Sequence, residues 1–247
     1  MKNEYLLFPK TTYYLTQGYG IDATSHKDKI ALDISAASGG SYNIYAPFTG
    51  YFRNPFYKKG KSSSVYLISE EKVYCADEKW HYAVCKFVHP EEIKNIKDGQ
   101  TFIQGELIMK DGNTGYSTGK HLHMELSLFN DKDKISLTQN RCDPCNYMLL
   151  KDDVKIKNDY YKRQKKHYIF KRVSDIKPIE PQDEFKVGDT VIPITLVNWK
   201  GVKLKQFDPY YTIMQIDKRG ATLGAPRNGK LVAWAVLRLD NIEHYTP

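Results

Sequence analysis

Two histidines separated by a single residue, His121 and His123, are the first residues in this sequence whose types and spacing suggest shared chemistry. Side chains alternate between the two faces of a β-strand, so residues i and i+2 point the same way. In an α-helix the same two residues would point about 200° apart. The apolar residues Leu122 and Met124 favour the strand. We therefore expect both imidazoles on one face, close enough to share a metal ion.

A carboxylate and another histidine lie upstream of this pair. Asp33 interrupts the apolar residues 31–34, and a carboxylate among apolar neighbours is costly to bury unless it is paired or bound to a metal. His26 precedes it, with six residues between them. Catalytic zinc is usually held by three protein ligands and keeps a fourth position open. His26, Asp33 and one histidine of the pair supply such a set, which leaves the other histidine and His89 for acid–base chemistry.

A glycine-rich loop, residues 111–120, leads directly into the histidine pair. Its three glycines predict a tight turn that delivers the following strand into a site. The loop superficially resembles a phosphate-binding loop. However, Gly119-Lys120 is followed by His121, whereas a phosphate-binding loop needs Ser or Thr at that position. We therefore do not expect this segment to be a phosphate-binding loop.

The elements that must position these residues are short strands. The 247 residues are 41% hydrophobic and 27% charged, which is ordinary globular composition. Short apolar runs separated by Gly, Asn, Asp and Pro predict a mostly-β protein. The strand candidates of the first half are residues 29–34, 42–45, 50–52, 64–68, 73–75, 81–88 and 122–128, with a helical turn over residues 91–96.

Composition changes twice along the chain. Residues 1–150 read as one β-rich domain with 18 basic and 17 acidic side chains. Residues 151–182, with 10 basic and 5 acidic, carry most of the net charge of +8 and end in two prolines, which predicts a basic linker. Residues 183–247 predict a separate small β-barrel. Because the basic excess is confined to one short segment, a nucleic-acid partner is not expected.

The order of motifs in residues 10–147 resembles that of the lysostaphin/LytM-type zinc metalloendopeptidases, which cut peptidoglycan. The resemblance is carried by residues 17–20, 45–50, 87–89, 98–106 and 112–125, the last of which reads Gly-Asn-Thr-Gly-Tyr-Ser-Thr-Gly-Lys-His-Leu-His-Met-Glu. The resemblance implies a groove on an antiparallel β-sheet that binds one zinc ion (Zn2+). It also implies that the substrate is the peptide stem or cross-bridge of bacterial peptidoglycan.

The same resemblance implies a role for each candidate residue. His26, Asp33 and His123 would bind zinc, and His121 would be the general base that activates water. His89 would hold that water or stabilise the oxyanion. The spacing from His26 to Asp33 is longer than in many members, and we interpret the difference as a loop insertion of the kind found in phage members.

The C-terminal residues 183–247 weakly resemble the SH3-like wall-binding modules attached to such enzymes, through residues 185–191 and 239–242. Four aromatic residues of this region could form a binding platform or pack in its core: Trp199, Tyr210, Tyr211 and Trp234. Together these features predict a phage-encoded wall hydrolase, with anionic wall polymers as possible further partners. The alternative function is a non-catalytic LytM-like protein that binds wall or activates another hydrolase.

The chain begins without the apolar run of a signal peptide, and no stretch approaches the roughly 20 apolar residues of a membrane span. We therefore expect synthesis in the bacterial host cytoplasm and action on the cell wall after release or as part of a phage particle. Four cysteines add a separate question. Cys75 and Cys85 could pair across a hairpin, but Cys142 and Cys145 form a lone C-x-x-C, so structural or free thiols are the favoured interpretation over a second metal or redox site.

Overall fold

The computed structural model describes residues 3–20, 31–35, 42–179 and 185–245. The chain divides into two compact units, Met1–Pro181 and Gln182–Pro247. Both are built from strands joined by loops and short 3₁₀ helices, so the prediction of a mostly-β protein is confirmed. The 3₁₀ helices are Glu91–Asn95, Lys132–Lys134, Pro144–Asn146, Val173–Asp175 and Leu239–Asn241. In the described ranges, no helix is long and apolar enough to cross a membrane.

The first unit is organised around one large sheet. Its described strands are β1 (Thr12–Gln17), β2 (Leu32–Ser35), β3 (Asn43–Tyr45), β4 (Gly50–Phe56), β5 (Ser64–Ser69), β6 (Val73–Tyr74), β7 (Trp80–Val88), β8 (Thr101–Phe102), β9 (Leu107–Lys110), β10 (His121–Phe129), β11 (Arg141–Cys142), β12 (Leu149–Leu150), β13 (Lys155–Asn158), β14 (Tyr160–Tyr161), β15 (Lys166–His167) and β16 (Lys171–Arg172). Ten of these form the sheet in the order β13-β1-β2-β10-β7-β5-β4-β8, with β11 beside β10 and β6 beside β7. Every pair in it is antiparallel except β1–β13.

Strand β10 is central to this sheet, and its two faces differ in chemistry. Leu122, Met124 and Leu126 are fully buried in the main apolar core of the unit. The alternate residues, beginning with His121 and His123, project from the opposite face, as period-2 alternation requires. Strands β2 and β7 pair with β10 on either side, so their own alternate residues join the same polar face.

The strand predictions for this unit agree closely with the structure from β2 to β7 and again at β10. Residues 29 and 30 of the first predicted strand lie outside the described residues. The short strands β8, β9, β11 and β12 were not predicted, and β1 was missed as well. The four cysteines are all free thiols, so the pairing of Cys75 with Cys85 does not form.

The segment after residue 150 differs from the basic linker that the sequence predicts. Strand β13 adds to the edge of the large sheet beside β1, and β16 pairs with β12. Tyr168 and Phe170 are buried in the main core, where the Phe170 ring lies 5.0 Å from Phe8 and 5.3 Å from Tyr13 between centroids. The basic side chains point outward between these apolar anchors, which is why composition alone suggested a linker.

The second unit contains five described strands: β17 (Thr190–Pro193), β18 (Tyr211–Asp217), β19 (Gly220–Arg227), β20 (Lys230–Leu237) and β21 (Ile242–His244). They form an antiparallel sheet in the order β20-β19-β18-β17-β21 around a small core of its own. Tyr211 is buried there and stacks on Trp234 with ring centroids 4.2 Å apart. These two aromatics therefore pack in the core, whereas Tyr210 is exposed.

Candidate active site

Asp33 and His123 form the centre of the candidate site. They lie directly opposite each other on the neighbouring strands β2 and β10. Their side chains meet on the polar face, where Asp33 Oδ1 is 3.0 Å from His123 Nδ1. Both residues are only 8% exposed. The carboxylate that interrupts an apolar run is thus buried, as expected, and its partner is a histidine of the pair.

His121 lies on the same face, one alternation earlier along β10. Its Nδ1 is 2.8 Å from the carbonyl oxygen of Gly119, so Nδ1 carries the proton and donates it to that carbonyl. The other ring nitrogen, Nε2, lies 3.7 Å from Asp33 Oδ1. His121 therefore directs an unprotonated nitrogen towards the buried carboxylate when the ring is neutral.

His89 follows β7 and completes a cluster of three imidazoles. Its ring centroid is 4.5 Å from that of His121 and 5.9 Å from that of His123. Nδ1 donates a hydrogen bond to the Thr114 carbonyl oxygen at 2.8 Å, which leaves Nε2 as an acceptor. Burial lowers the pKa of His89 to about 4, only partly offset by this hydrogen bond, so the ring is neutral at pH 7.

The backbone at His89 is held in an unusual conformation. Its φ of 85° lies in the left-handed region that non-glycine residues rarely adopt. The amide of His89 donates to the Ser63 carbonyl oxygen at 3.0 Å, and its carbonyl accepts from the amide and hydroxyl of Thr114. Such conformations persist only where surrounding contacts impose them, and they cluster at functional sites.

The glycine-rich loop packs directly on this backbone. A Cβ added to Gly112 would lie 2.0 Å from the His89 carbonyl oxygen and 2.6 Å from Pro90 Cα. A Cβ on Gly115 would lie 2.0 Å from the Ser62 backbone nitrogen. Gly112 also accepts a hydrogen bond from the His121 amide at 3.1 Å. The loop therefore connects His89 to His121 through a close backbone contact that only glycine permits.

Three charged residues lie beside the histidines on the same face. Glu125 is 5% exposed, and its Oε1 is 3.5 Å from His123 Nε2 and 3.3 Å from Lys86 Nζ. Its Oε2 is 2.9 Å from Arg141 Nη2. Burial alone would raise the pKa of Glu125, but the His123 hydrogen bond and the two cations outweigh it and lower the pKa to about 2. Glu125 is thus an ionised acceptor that orients His123 from behind.

These residues line an open cleft of about 760 Å³. The polar face of the sheet forms its floor, and the glycine-rich loop forms a wall. Tyr116, which is 89% exposed, and Phe56 stand at its edge. A cleft of this size has room for an extended peptide, and its floor carries the histidine cluster and the charged residues.

Two of the described donor atoms match zinc ligands in kind and in spacing. Zinc binds histidine nitrogen and carboxylate oxygen at about 2.0–2.1 Å, so two donors of a tetrahedral ion lie roughly 3.3 Å apart. The 3.0 Å separation of Asp33 Oδ1 and His123 Nδ1 is close to this value. The third predicted ligand, His26, lies outside the described residues. Without it, the described part of the chain holds no group of three or more His, Cys, Asp or Glu side chains arranged for a metal.

The structure thus brings together four of the five predicted site residues, namely Asp33, His89, His121 and His123. The remaining described histidines lie elsewhere: His81 contacts Asp77 and Asn130, His167 contacts Asp159, and His244 stacks on Phe185.

Four residues that line the cleft or hold its histidines were not identified from the sequence: Lys86, Thr114, Glu125 and Arg141. Glu125 could have been found by extending the i+2 alternation from His123, and Lys86 by pairing it with Glu125 across the sheet. Arg141 lies on a two-residue strand that carries no pattern. Asn113, the neighbour of Thr114 in the loop, is exposed, and it is Thr114 that makes the contacts with His89.

No protein-family model and no curated protein sequence matches this chain. Several solved structures resemble it. The catalytic domain of the antimicrobial peptidase lysostaphin from Staphylococcus simulans is 21% identical over 53% of this chain and 89% of that one, with a TM-score of 0.38. The catalytic domain of a mutant of the prophage-encoded M23 protein EnpA from Enterococcus faecalis is 18% identical over 57% and 95%, with a TM-score of 0.41. The solution structure of lysostaphin is 14% identical over 95% and 91%, with a TM-score of 0.42. Identities and TM-scores this low carry no conclusion about function.

Proposed function

We propose that this chain is a zinc-dependent endopeptidase that hydrolyses peptide bonds in bacterial peptidoglycan. The observation that carries the proposal is the convergence of Asp33, His89, His121 and His123 on the floor of one open cleft. A structural histidine needs one hydrogen-bond partner and no second imidazole beside it. Three imidazoles around a buried carboxylate are a costly arrangement in a fold, and metal-assisted hydrolysis gives it a use.

In this proposal Asp33 and His123 hold the metal together with His26. Glu125 accepts a hydrogen bond from Nε2–H of His123 and so leaves Nδ1, the nitrogen that faces Asp33, as the ligand atom. Carboxylate partners of this kind orient metal-binding histidines and raise their basicity. When bound, zinc acidifies water and polarises a carbonyl group, which is the chemistry that peptide hydrolysis needs at neutral pH.

The two other histidines supply acid–base groups. His121 keeps Nδ1 protonated through Gly119, so its Nε2 can take a proton from water in the cleft and return it to the leaving amine. His89 is fixed in the same way through Thr114 and remains neutral at pH 7. A neutral ring with a free Nε2 accepts a hydrogen bond, so His89 orients the attacking water and is not suited to stabilising an oxyanion.

Peptidoglycan as the substrate is supported by the order of motifs in the sequence and by the open shape of the cleft. A cleft that is open to solvent admits a peptide within a polymer, whereas an enclosed pocket would admit only a free end. We further propose that the second unit is an SH3-like module that binds the cell wall, with anionic polymers as additional contacts, and that the natural setting is phage-induced lysis or penetration of the host wall.

The test is mass spectrometry of fragments released from several purified peptidoglycan types by the full chain. Wild-type protein is compared with chelated protein and with three variants, His121→Ala, His123→Ala and His81→Ala. His81→Ala is the matched control, because His81 lies on the same sheet but outside the cleft. Zinc content is measured on every sample.

We expect new amino termini to be released at the full rate by the wild type and by His81→Ala only. His121→Ala should retain zinc and lose about 10²–10⁴-fold in rate, the usual contribution of a general base. His123→Ala should lose the metal itself. Zinc-loaded wild type that binds every wall but releases no fragment would contradict the proposal and favour a non-catalytic wall-binding protein.

A further inference from the structure

The polar face of the sheet is arranged in rows that run across the strands. Strand register aligns Ser64, Val88, His123 and Asp33 in one row, which is the row of the candidate metal ligands. The next row consists of Tyr66, Lys86 and Glu125. Rows on one face are two residues apart along each strand, so their separation is about 6.6–6.8 Å.

Arg141 also contacts the second row, although its backbone lies two residues further along β10 than Glu125. It lies on β11 opposite Ser127, and its guanidinium reaches back to Glu125. Beyond this point an apolar cluster that includes Ile68 and Val84 covers the face. Lys86, Glu125 and Arg141 therefore stand at the closed end of the cleft, one row away from His123.

The charges in this second row do not cancel. Lys86 and Arg141 carry two positive charges, and both contact the single carboxylate of Glu125. Among the described residues that line the cleft, the other acid is Asp33, which faces the histidines. The side chains of both cations are 24% exposed and open onto the cleft, so each can still bind a group that enters it.

We propose that Lys86 and Arg141 form a subsite that binds a free carboxylate of the substrate, about two residues from the scissile bond. This inference rests on the proposed function. An extended peptide advances about 3.3–3.6 Å per residue, so two residues span the distance between the rows. Arg binds a carboxylate through its planar fork, and Lys adds a point charge.

The subsite selects among the peptide bonds of peptidoglycan. A cross-bridge made of glycine carries no carboxylate near the bond that is cut. Stem peptides carry free carboxylates on their glutamate and, in some walls, on their diamino acid. The subsite therefore favours cleavage within or beside an acidic stem over cleavage in a neutral bridge.

The experiment compares synthetic substrates that differ in a single functional group. Cross-linked stem dimers are prepared with all carboxylates free, with the diamino-acid carboxylate amidated, with the glutamate carboxylate amidated, and with both amidated. A pentaglycine peptide with an acetylated amino terminus and an amidated carboxyl terminus is the neutral bridge. The zinc-loaded full chain is assayed as wild type, Arg141→Gln, Lys86→Gln and Arg53→Gln. Arg53 is a matched control, because its side chain is half exposed, pairs with Asp98 and lies outside the cleft.

We expect the wild type to prefer one free carboxylate over its amide by about 10- to 100-fold in kcat/KM, the usual range for a hydrogen bond to a charged group. The free and the amidated dimers should differ in KM, with similar kcat, because the subsite binds the substrate away from the scissile bond. The ratio of activity on the free dimer to activity on its amide should shrink in Arg141→Gln and Lys86→Gln, each variant being compared with itself on the two substrates, and it should persist in Arg53→Gln. The singly amidated dimer that the wild type cleaves more slowly than the free dimer identifies which carboxylate is bound.

Two results would overturn the inference while the proposed function stands. One is equal cleavage of the free and amidated dimers by the wild type. The other is efficient cleavage of pentaglycine together with poor cleavage of every dimer. Failure of the proposed function looks different, since the wild type would then cleave no substrate of the set. Thermal melting of each variant separates loss of binding from loss of folding.

Discussion

Substituting Gly112 by alanine tests whether the glycine-rich loop positions the catalytic groups. The loop contacts the site at two points, since Gly112 packs on the backbone of His89 and accepts a hydrogen bond from the amide of His121. One methyl group at Gly112 would therefore act on both histidines. The substitution removes no side chain that could touch a metal or a substrate.

The size of the effect follows from the packing. The new Cβ would lie 2.0 Å from the His89 carbonyl oxygen, whereas real Cβ contacts essentially never fall under 3.0 Å, so the two segments must separate by at least the difference of 1.0 Å. The atoms in the way belong to backbone and cannot rotate aside. Overpacking of this kind costs about 1–3 kcal/mol in the free energy of unfolding. A misplacement of about 1 Å at a reacting centre costs on the order of 100-fold in rate.

Gly119→Ala is the matched control in the same loop, because a Cβ there meets nothing within 4 Å. Both variants are compared with wild type by denaturant unfolding, zinc content and kcat/KM on a cleaved peptide. We expect Gly112→Ala to lose about 100-fold in kcat/KM with zinc retained, and Gly119→Ala to stay within a few-fold. Wild-type activity and stability in Gly112→Ala would refute the idea that this contact fixes the geometry of the site.

Three further outcomes are expected. Lys10 and Asp111 form a fully buried ion pair. Lys10→Met should lower the free energy of unfolding by about 3–5 kcal/mol, because it leaves a buried carboxylate without this cation. The double variant Lys10→Met, Asp111→Leu should lower it by less, because both charges are removed. In the chelated protein, His89 should lower the free energy of unfolding by about 3 kcal/mol between pH 6.5 and pH 4, because the unfolded chain protonates this residue at its ordinary pKa and the folded chain does so only near 4. Urea titrations of His89→Gln should show a pH dependence that is smaller by this amount. Residues 1–181 alone should fold with a cooperative melting transition, and residues 1–150 should not.

Local pattern was sufficient to predict which residues lie together at the centre of the candidate site. The His-x-His spacing required a strand if the two side chains were to act together, and β10 does begin at His121. Asp33 was recognisable because a carboxylate among apolar residues needs a partner, and it lies opposite His123. These inferences succeeded because alternation and the cost of burying a charge act over a few residues, which is the range that a sequence displays.

Features that depend on long-range packing were not predictable in this way. Residues 155–172 are rich in lysine and look like a linker, yet Tyr168 and Phe170 anchor them in the core of the first unit. Two buried aromatics are enough to offset many exposed lysines, because lysine heads stay in water and cost little. Arg141 reaches the cleft because β11 folds back to pair with β10 across the loop of residues 130–140, and a two-residue strand carries no pattern that predicts this pairing.

Strand β10 shows why the fold and the candidate site can be tested separately. Leu122, Met124 and Leu126 face the core, and a large-to-small substitution there costs about 2–5 kcal/mol because it leaves a cavity. His121 and His123, one residue away in each case, face the cleft and bury no apolar surface in that core. Adjacent positions in residues 121–126 therefore answer different questions: the even-numbered residues report on packing, and the odd-numbered residues report on chemistry. A loss of activity at an odd position with unchanged melting has to come from the cleft itself.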